Sequence, residues 1–212
     1  AVKRFVGEGG KGAATPAEAA KSADIVVSVV VNAAQTEAIL FGKDGVAGTL
    51  AKGAVFISSA TMDPDVARRL SGELEATGRH YLDAPISGGA KRAAQGELTI
   101  LASGSDAAFA KARPALDAMA AQLYELGDTA GHAAAFKMST RLLAGVHIAA
   151  ASEAIAFAAK QGLDIRKVYE VITASAGNSW MFENRMPHVL DGDYTPRSAV
   201  DIFVKDLGII QD

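Results

Sequence analysis

The 212-residue sequence predicts an α/β fold: a parallel sheet covered by helices on both faces, followed by an all-α domain that a long helix joins to it. Three observations carry this expectation. Short β-branched runs alternate with helix-like segments as far as Leu126, no convincing strand follows Gly127, and the stretch 131–162 reads as one uninterrupted helix.

Thr15-Pro16-Ala17-Glu18 combines an N-cap, a proline at the first helical position and a glutamate at the third, so a short helix begins there and ends near Ser22. The run 24–31, DIVVSVVV, has the composition of a strand buried on both faces of a parallel sheet. Asn32 caps the next helix, QTEAILF, and Gly42 stops it. The alternation continues with a strand over 54–58, a helix over 63–76, strands over 79–82 and 98–102, a helix over 106–120 and a strand over 122–126.

In 131–162 alanine is dense and no proline interrupts. Phe136, Leu142, Leu143, Val146, Ile148, Ile155 and Phe157 recur at helical spacings. A helix of about 30 residues extends about 45 Å, too long for one edge of a small domain, so it is expected to connect two bodies. The boundary falls near residue 130, dividing the chain into domains 1–130 and 131–212. The second is helical throughout, with further helices over 165–175, over 180–190 and from 199 onward.

A net charge of −3 gives no basic field for nucleic acid or an anionic membrane. Without cysteine there is no disulfide framework, thiolate zinc site or cysteine nucleophile, and a reducing cytoplasm fits. The longest apolar runs are read as too short to cross a bilayer, and no charged-then-apolar signal opens the chain. The first residue is not methionine and Asp212 stands in what reads as an unfinished helix, so both ends are expected to be truncated. A long apolar helix beside a small helical domain needs more burial than one chain offers, which points to a homodimer or homotetramer.

Ligands of parallel sheets sit at the carboxyl ends of the strands, here the turns after Val31, Ser59 and Leu82. In Asp83-Ala84-Pro85-Ile86-Ser87-Gly88-Gly89 a hydroxyl stands beside two glycines, a pattern that suits a carboxylate or phosphate, or equally a plain turn. In Ser58-Ser59-Ala60-Thr61-Met62-Asp63-Pro64, Thr61 or Asp63 is available as a helix cap. Lys137 lies near the start of the long helix with Thr140 and Arg141 on roughly the same face. A solvated surface lysine is the ordinary reading. Burial and the helix dipole would instead both lower its pKa and make it a proton carrier. Exposed charge explains Lys205-Asp206, and a core aromatic explains Trp180. The four histidines show no paired metal spacing, and no G-x-S-x-G elbow precedes a helix.

Taken in order, these stretches resemble the β-hydroxyacid dehydrogenase family, which includes 3-hydroxyisobutyrate dehydrogenase, tartronate semialdehyde reductase and L-threonate dehydrogenase. DAPISGG followed by GELTILASG is similar to the family's substrate signature, Gly131 to Lys137 followed by RLLAG to its catalytic-lysine helix, and VKDLGII to its carboxyl-terminal Lys-Asp-Leu motif. The resemblance covers essentially the whole chain. It implies a Rossmann-like first domain that binds NAD or NADP, and a helical domain for substrate binding and dimerisation. It further implies Lys137 as the catalytic lysine, with Ser87, Gly88, Gly89 and Thr140 binding a small substrate carboxylate. Thr61, Lys205 and, at the first strand end, Val31 and Asn32 would lie near the cofactor.

Three departures accompany it. Ala133 replaces the second glycine of the usual G-x-G-x-x-x-K opening, Thr140 stands where asparagine is common, and no G-x-G-x-x-G turn precedes the first strand. The dinucleotide-binding domain is therefore expected to be incomplete here. Interconversion of a small 3-hydroxy acid and its semialdehyde or keto form is the implied activity, and LLAGVHIAAASEA leans toward members acting on four-carbon sugar acids such as threonate. The alternatives are a non-enzymatic carboxylate-binding or dimerisation remnant, and a 6-phosphogluconate dehydrogenase-like reductase, for which Arg92 and Arg185 are the only basic hints.

Overall fold

The structure, a computed structural model, describes residues 2–196 and 199–211. It divides into two compact units, Ala1–Lys137 and Met138–Asp212.

The first unit opens with α1 (Val2–Gly7), a short helix that buries none of its residues and that sequence reading missed. α2 (Pro16–Ala19) is capped much as a capping box would do it: Thr15 Oγ accepts from Glu18 N–H at 3.1 Å, and the Glu18 carboxylate accepts from the N–H of Ala14, one residue before the cap, at 2.8 Å. Three parallel strands follow, β1 (Ile25–Ser28), β2 (Val55–Ser58) and β3 (His80–Asp83), in the order β1-β2-β3 with Val55 opposite both Ile25 and His80. They are linked through α3 (Ala33–Phe41) and α4 (Pro64–Glu75). All four residues of β2 are buried because helices cover both of its faces and strands flank it. Phe56 packs with Leu40, Leu70 and Tyr81 on one side, Val55 and Ile57 with Leu82, Ile100 and Leu116 on the other.

Two expectations are corrected here. The run 24–31 is a strand only over Ile25–Ser28, and Val27, Val29 and Val31 are exposed rather than buried on both faces. Among the described residues β1 pairs with β2 and with no other strand, which leaves these side chains uncovered. The sheet is also not parallel throughout. A second group, β4 (Ile86–Ser87), β5 (Leu98–Ala102) and β6 (Ala120–Glu125), pairs β4 with β5 antiparallel and β5 with β6 parallel. The connection from β4 to β5 runs through only the short helix α5 (Gly89–Gln95), less chain than a parallel crossover requires, whereas α6 (Asp106–Met119) supplies one between β5 and β6. An antiparallel bridge between Asp83 and Ser103 joins the two groups.

The long helix is α7 (His132–Lys160), which passes from the first unit into the second. By length and composition alone it could cross a membrane, which corrects the reading that every apolar run is too short for that. Its first turns are instead fixed to β3 and β5 by buried polar groups. The second unit adds α8 (Ile165–Thr173), α9 (Trp180–Leu190) and α10 (Asp201–Gln211). Its core joins Ala151 and Ile155 of α7 to Phe182 and Met186 of α9, with the Tyr169 ring stacked on Phe182 at 5.6 Å. Trp180 is 65% exposed and is not the core aromatic expected, because Met181, Phe182 and Met186 already occupy the inward face of α9.

Candidate active site

The first turn of α7 has no local cap. Thr129-Ala130-Gly131 offers no side chain at the capping position, so the helix's leading N–H groups need acceptors from elsewhere. They find them across the unit. One carboxylate oxygen of Asp83, at the end of β3, accepts from Gly131 N–H and Ala134 N–H, each at 2.9 Å, and Ser103 Oγ accepts from Ala133 N–H at 3.0 Å. Asp83 and Ser103 are completely buried. Burial pushes the Asp83 carboxyl up to about 6, although the amides of Ala134 and Gly131, the Ser103 hydroxyl and the Arg68 charge all favour its anion.

Gly131 is required on geometric grounds. Its φ is +96°, and a Cβ there would lie 2.7 Å from the Pro64 carbonyl oxygen. Ala133, where the family pattern has a second glycine, is fully buried and its amide meets Ser103, so the added methyl is absorbed in the core.

Lys137 follows one turn after Ala134. It is 3% exposed, against the ordinary expectation for a lysine, and its ammonium donates to the Ile86 carbonyl at 2.5 Å. That carbonyl immediately precedes Ser87-Gly88-Gly89, so the structure brings Lys137 to the glycine-rich turn. Ser87 is exposed in β4. Gly88, with φ +131°, precedes α5, and a Cβ there would meet Arg92 Cβ at 2.9 Å. Gly89, at φ +69°, has open space where a side chain would stand. These features leave backbone amides accessible to an anion beside a buried cation.

Val31, Asn32 and Thr61 stand at the carboxyl ends of the neighbouring strands β1 and β2. The Val31 N–H donates to Gln35 Oε1 and the Asn32 side chain accepts from Gln35 N–H, both at 2.9 Å, so both residues shape the start of α3. At α4 the cap is Asp63, whose carboxylate accepts from Asp65 and Val66 N–H, and not Thr61. At these strand ends Val29 and Val31 are exposed, Ser59 is buried and Thr61 is half-buried. A groove of about 430 Å³ along β1 and α2 contains none of the candidate residues. Among the described residues no three His, Asp or Glu are grouped to hold a metal.

Thr140 and Lys205 belong to the second unit. Thr140 is exposed on α7 one turn after Lys137. Lys205, on α10, pairs with one oxygen of the fully buried Asp206 at 2.8 Å, and Arg141 Nε lies 2.8 Å from the other. Arg141 also lies over the Phe203 ring, 5.3 Å from its centroid. Sequence reasoning named Asp83, Arg141 and Asp206 only as members of their stretches, passed over Ser103, and gave none of the four a role. For Asp83 a signal existed: a long helix without its own cap must find one elsewhere.

A mostly parallel sheet with helices on both faces, followed by a long helix and an all-helical unit, is the architecture of the Rossmann-like dehydrogenases. Residues 1–127 match the family model for the NAD binding domain of 6-phosphogluconate dehydrogenase, and residues 131–212 that for the NAD-binding domain of NADP-dependent 3-hydroxyisobutyrate dehydrogenase. An L-threonate dehydrogenase of Cupriavidus necator is 52% identical over 211 residues, covering 100% of this chain and 71% of its own length. One from Escherichia coli K12 is 50% identical, over 91% of this chain and 64% of its own. A crystal structure described as 3-hydroxyisobutyrate dehydrogenase from Salmonella typhimurium superposes with a TM-score of 0.90 at 51% identity, over 100% of this chain and 74% of that one. The chain belongs to the β-hydroxyacid dehydrogenase family, whose cofactor is NAD or NADP. It spans less than two thirds of the length of several of these relatives.

Proposed function

We propose that this chain acts in an NAD(P)-dependent dehydrogenase that interconverts a small 3-hydroxy acid and its semialdehyde or keto form, with Lys137 as general acid and base. The observation that carries this reading is the burial of Lys137 with its ammonium on the Ile86 carbonyl, directly before Ser87-Gly88-Gly89. Residues 1–130 serve as the nucleotide-binding domain, and residues 131–212 as the substrate and dimerisation domain.

The amides of Gly88 and Gly89 and the Ser87 hydroxyl hold the substrate carboxylate, and Thr140 adds a hydroxyl one helical turn from the lysine. Lys137 takes the proton from the substrate hydroxyl in oxidation and returns it in reduction. Val31, Asn32 and Thr61 hold the cofactor at the strand ends, and Lys205 supplies a cation near it. When bound, NAD or NADP accepts or donates the hydride. Homologues named L-threonate dehydrogenase at 50–53% identity support a four-carbon sugar acid as substrate.

Lys137→Ala should lower kcat by at least about a hundredfold while KM changes little, because the proton transfer is made only in the transition state. Near-normal kcat in that variant would overturn the assignment. Comparison of L-threonate, 3-hydroxyisobutyrate and 6-phosphogluconate as substrates ranks the candidates. Preference for the phosphorylated acid would replace this reading with the 6-phosphogluconate dehydrogenase-like one.

A further inference from the structure

Two tethers tie the lysine helix to the strand end that leads into the substrate turn. The first is the Asp83 carboxylate, accepting from Gly131 and Ala134 N–H. The second is Lys137, donating to the Ile86 carbonyl. On each segment the anchor points are three residues apart, 83 and 86 on one, 134 and 137 on the other, so the two tethers close a ring. Within an α-helix, residues three apart lie one above the other on the same face, so the Asp83 tether holds the turn from which the Lys137 side chain leaves.

We infer that Asp83 is a positioning residue for the proton-transfer step: it caps α7 from a distance and so sets where Lys137 stands relative to Ser87-Gly88-Gly89. This rests on the assignment of Lys137 as acid and base. The residue at the capping position, Gly131, has no side chain with which to cap the helix. A local Ser or Asp would satisfy the same amides and fix nothing outside the helix. Asp83 satisfies them across 48 and 51 residues of sequence, and the helix start becomes part of the β3 strand end. Ser103 contributes a second fixed point at Ala133, from the far side of the bridge that pairs it with Asp83. Displacement of a catalytic group by about 1 Å can cost about a hundredfold in rate, so a tether one turn away has leverage on turnover.

The test compares Asp83→Ala, which removes both acceptors, with Asp83→Asn, which keeps an acceptor oxygen and the volume. In Asp83→Ala the Gly131 and Ala134 amides should exchange with solvent at least about tenfold faster relative to amides in α6, and kcat should fall about ten- to a hundredfold with KM changed less than about threefold. Asp83→Asn should recover most of both. If Asp83→Ala does not fold, Asp83→Asn and Ser103→Ala carry the comparison, with faster Ala133 exchange and a several-fold lower kcat expected in the latter. Normal kcat with fast exchange at Gly131 and Ala134 would overturn the positioning role, as would unchanged exchange. An equal loss that Asn does not rescue would also overturn it, since the carboxylate would then act through its charge alone. The Lys137→Ala measurement is independent: high activity in that variant removes the assignment beneath the inference, whereas low activity there with normal activity in Asp83→Ala removes the inference alone.

Discussion

The two ends of α7 are held by opposite means. At its start, polar groups with little access to water do the work: Asp83 and Ser103 accept the leading amides, and Lys137 is buried with its head on a carbonyl. Further along, in the second unit, Leu143, Val146 and Phe157 are exposed, and the helix is held by the Arg141–Asp206 ion pair, by the packing of Gly145 against Leu207 and, toward its end, by the packing of Ala151 and Ile155 against Phe182 and Met186. The first arrangement specifies a single register at an electrostatic cost. The second holds α7 against α10 with one partly wet ion pair and the Leu207 side chain packed on Gly145. A catalytic group belongs where position is specified most tightly, and Lys137 is at that end.

The electrostatic cost at the first end should be measurable. The Asp83 carboxyl titrates near 6 in the folded chain, against an ordinary value of 3.8. Between those pH values the folded chain holds a proton that the unfolded chain has released. The stabilisation from this group is therefore complete below about pH 4 and is lost as pH rises through about 6, by at most about 3 kcal/mol. Urea unfolding of wild type and Asp83→Asn from pH 4 to pH 7 isolates it, because the other carboxylates cancel in the difference. A pH-independent difference would mean that the buried anion is better compensated than its surroundings indicate, and the contrast between the two ends would shrink.

Asp206 makes the corresponding test at the other end. Its side chain is completely buried, but Arg141 and Lys205 remain 27% and 23% exposed, and both contacts are ion pairs rather than well-aligned hydrogen bonds. Asp206→Asn should cost about 1–3 kcal/mol, less than breaking a fully buried pair, because both cations can turn to solvent. Its effect on Gly131 and Ala134 amide exchange should be negligible. Thermal unfolding gives the first quantity and hydrogen exchange the second. Faster exchange at those amides would show that the two ends of α7 are coupled.

Sequence periodicity made most elements legible, since buried strands and amphipathic helices are local patterns. The Thr15 cap, the Asn32 cap, and helices such as α9 stand where local chemistry put them. What was not legible depended on partners distant in sequence. DIVVSVVV reads as one long strand because composition does not reveal that the pairing with β2 stops at Ser28. The pairing of β4 with β5 needed the length of their connection, and the reach of Asp83 to Ala134 spans 51 residues. Likewise, the RLLAG and VKDLGII stretches were each conspicuous alone, yet their relation through Arg141 with Asp206 and Gly145 with Leu207 is a tertiary fact.

Gly145 provides the finest distinction. A Cβ there would approach Leu207 Cδ1 and Cδ2 at 3.1 and 3.2 Å, closer than ordinary van der Waals contact, but those atoms are the tip of a flexible side chain. Alanine in mid-helix gains about 1 kcal/mol over glycine, and crowding a packed contact costs about 1–3 kcal/mol where the neighbours cannot move. With Leu207 partly exposed and free to change rotamer, the two effects should nearly cancel, giving a net change within about 1 kcal/mol for Gly145→Ala. Gly145→Val adds bulk without that relief and should destabilise the second unit clearly. If alanine alone costs more than about 2 kcal/mol by urea unfolding, the α7–α10 contact is as rigid as the polar clamp at residue 131, and the two ends of the helix differ in chemistry but not in tolerance.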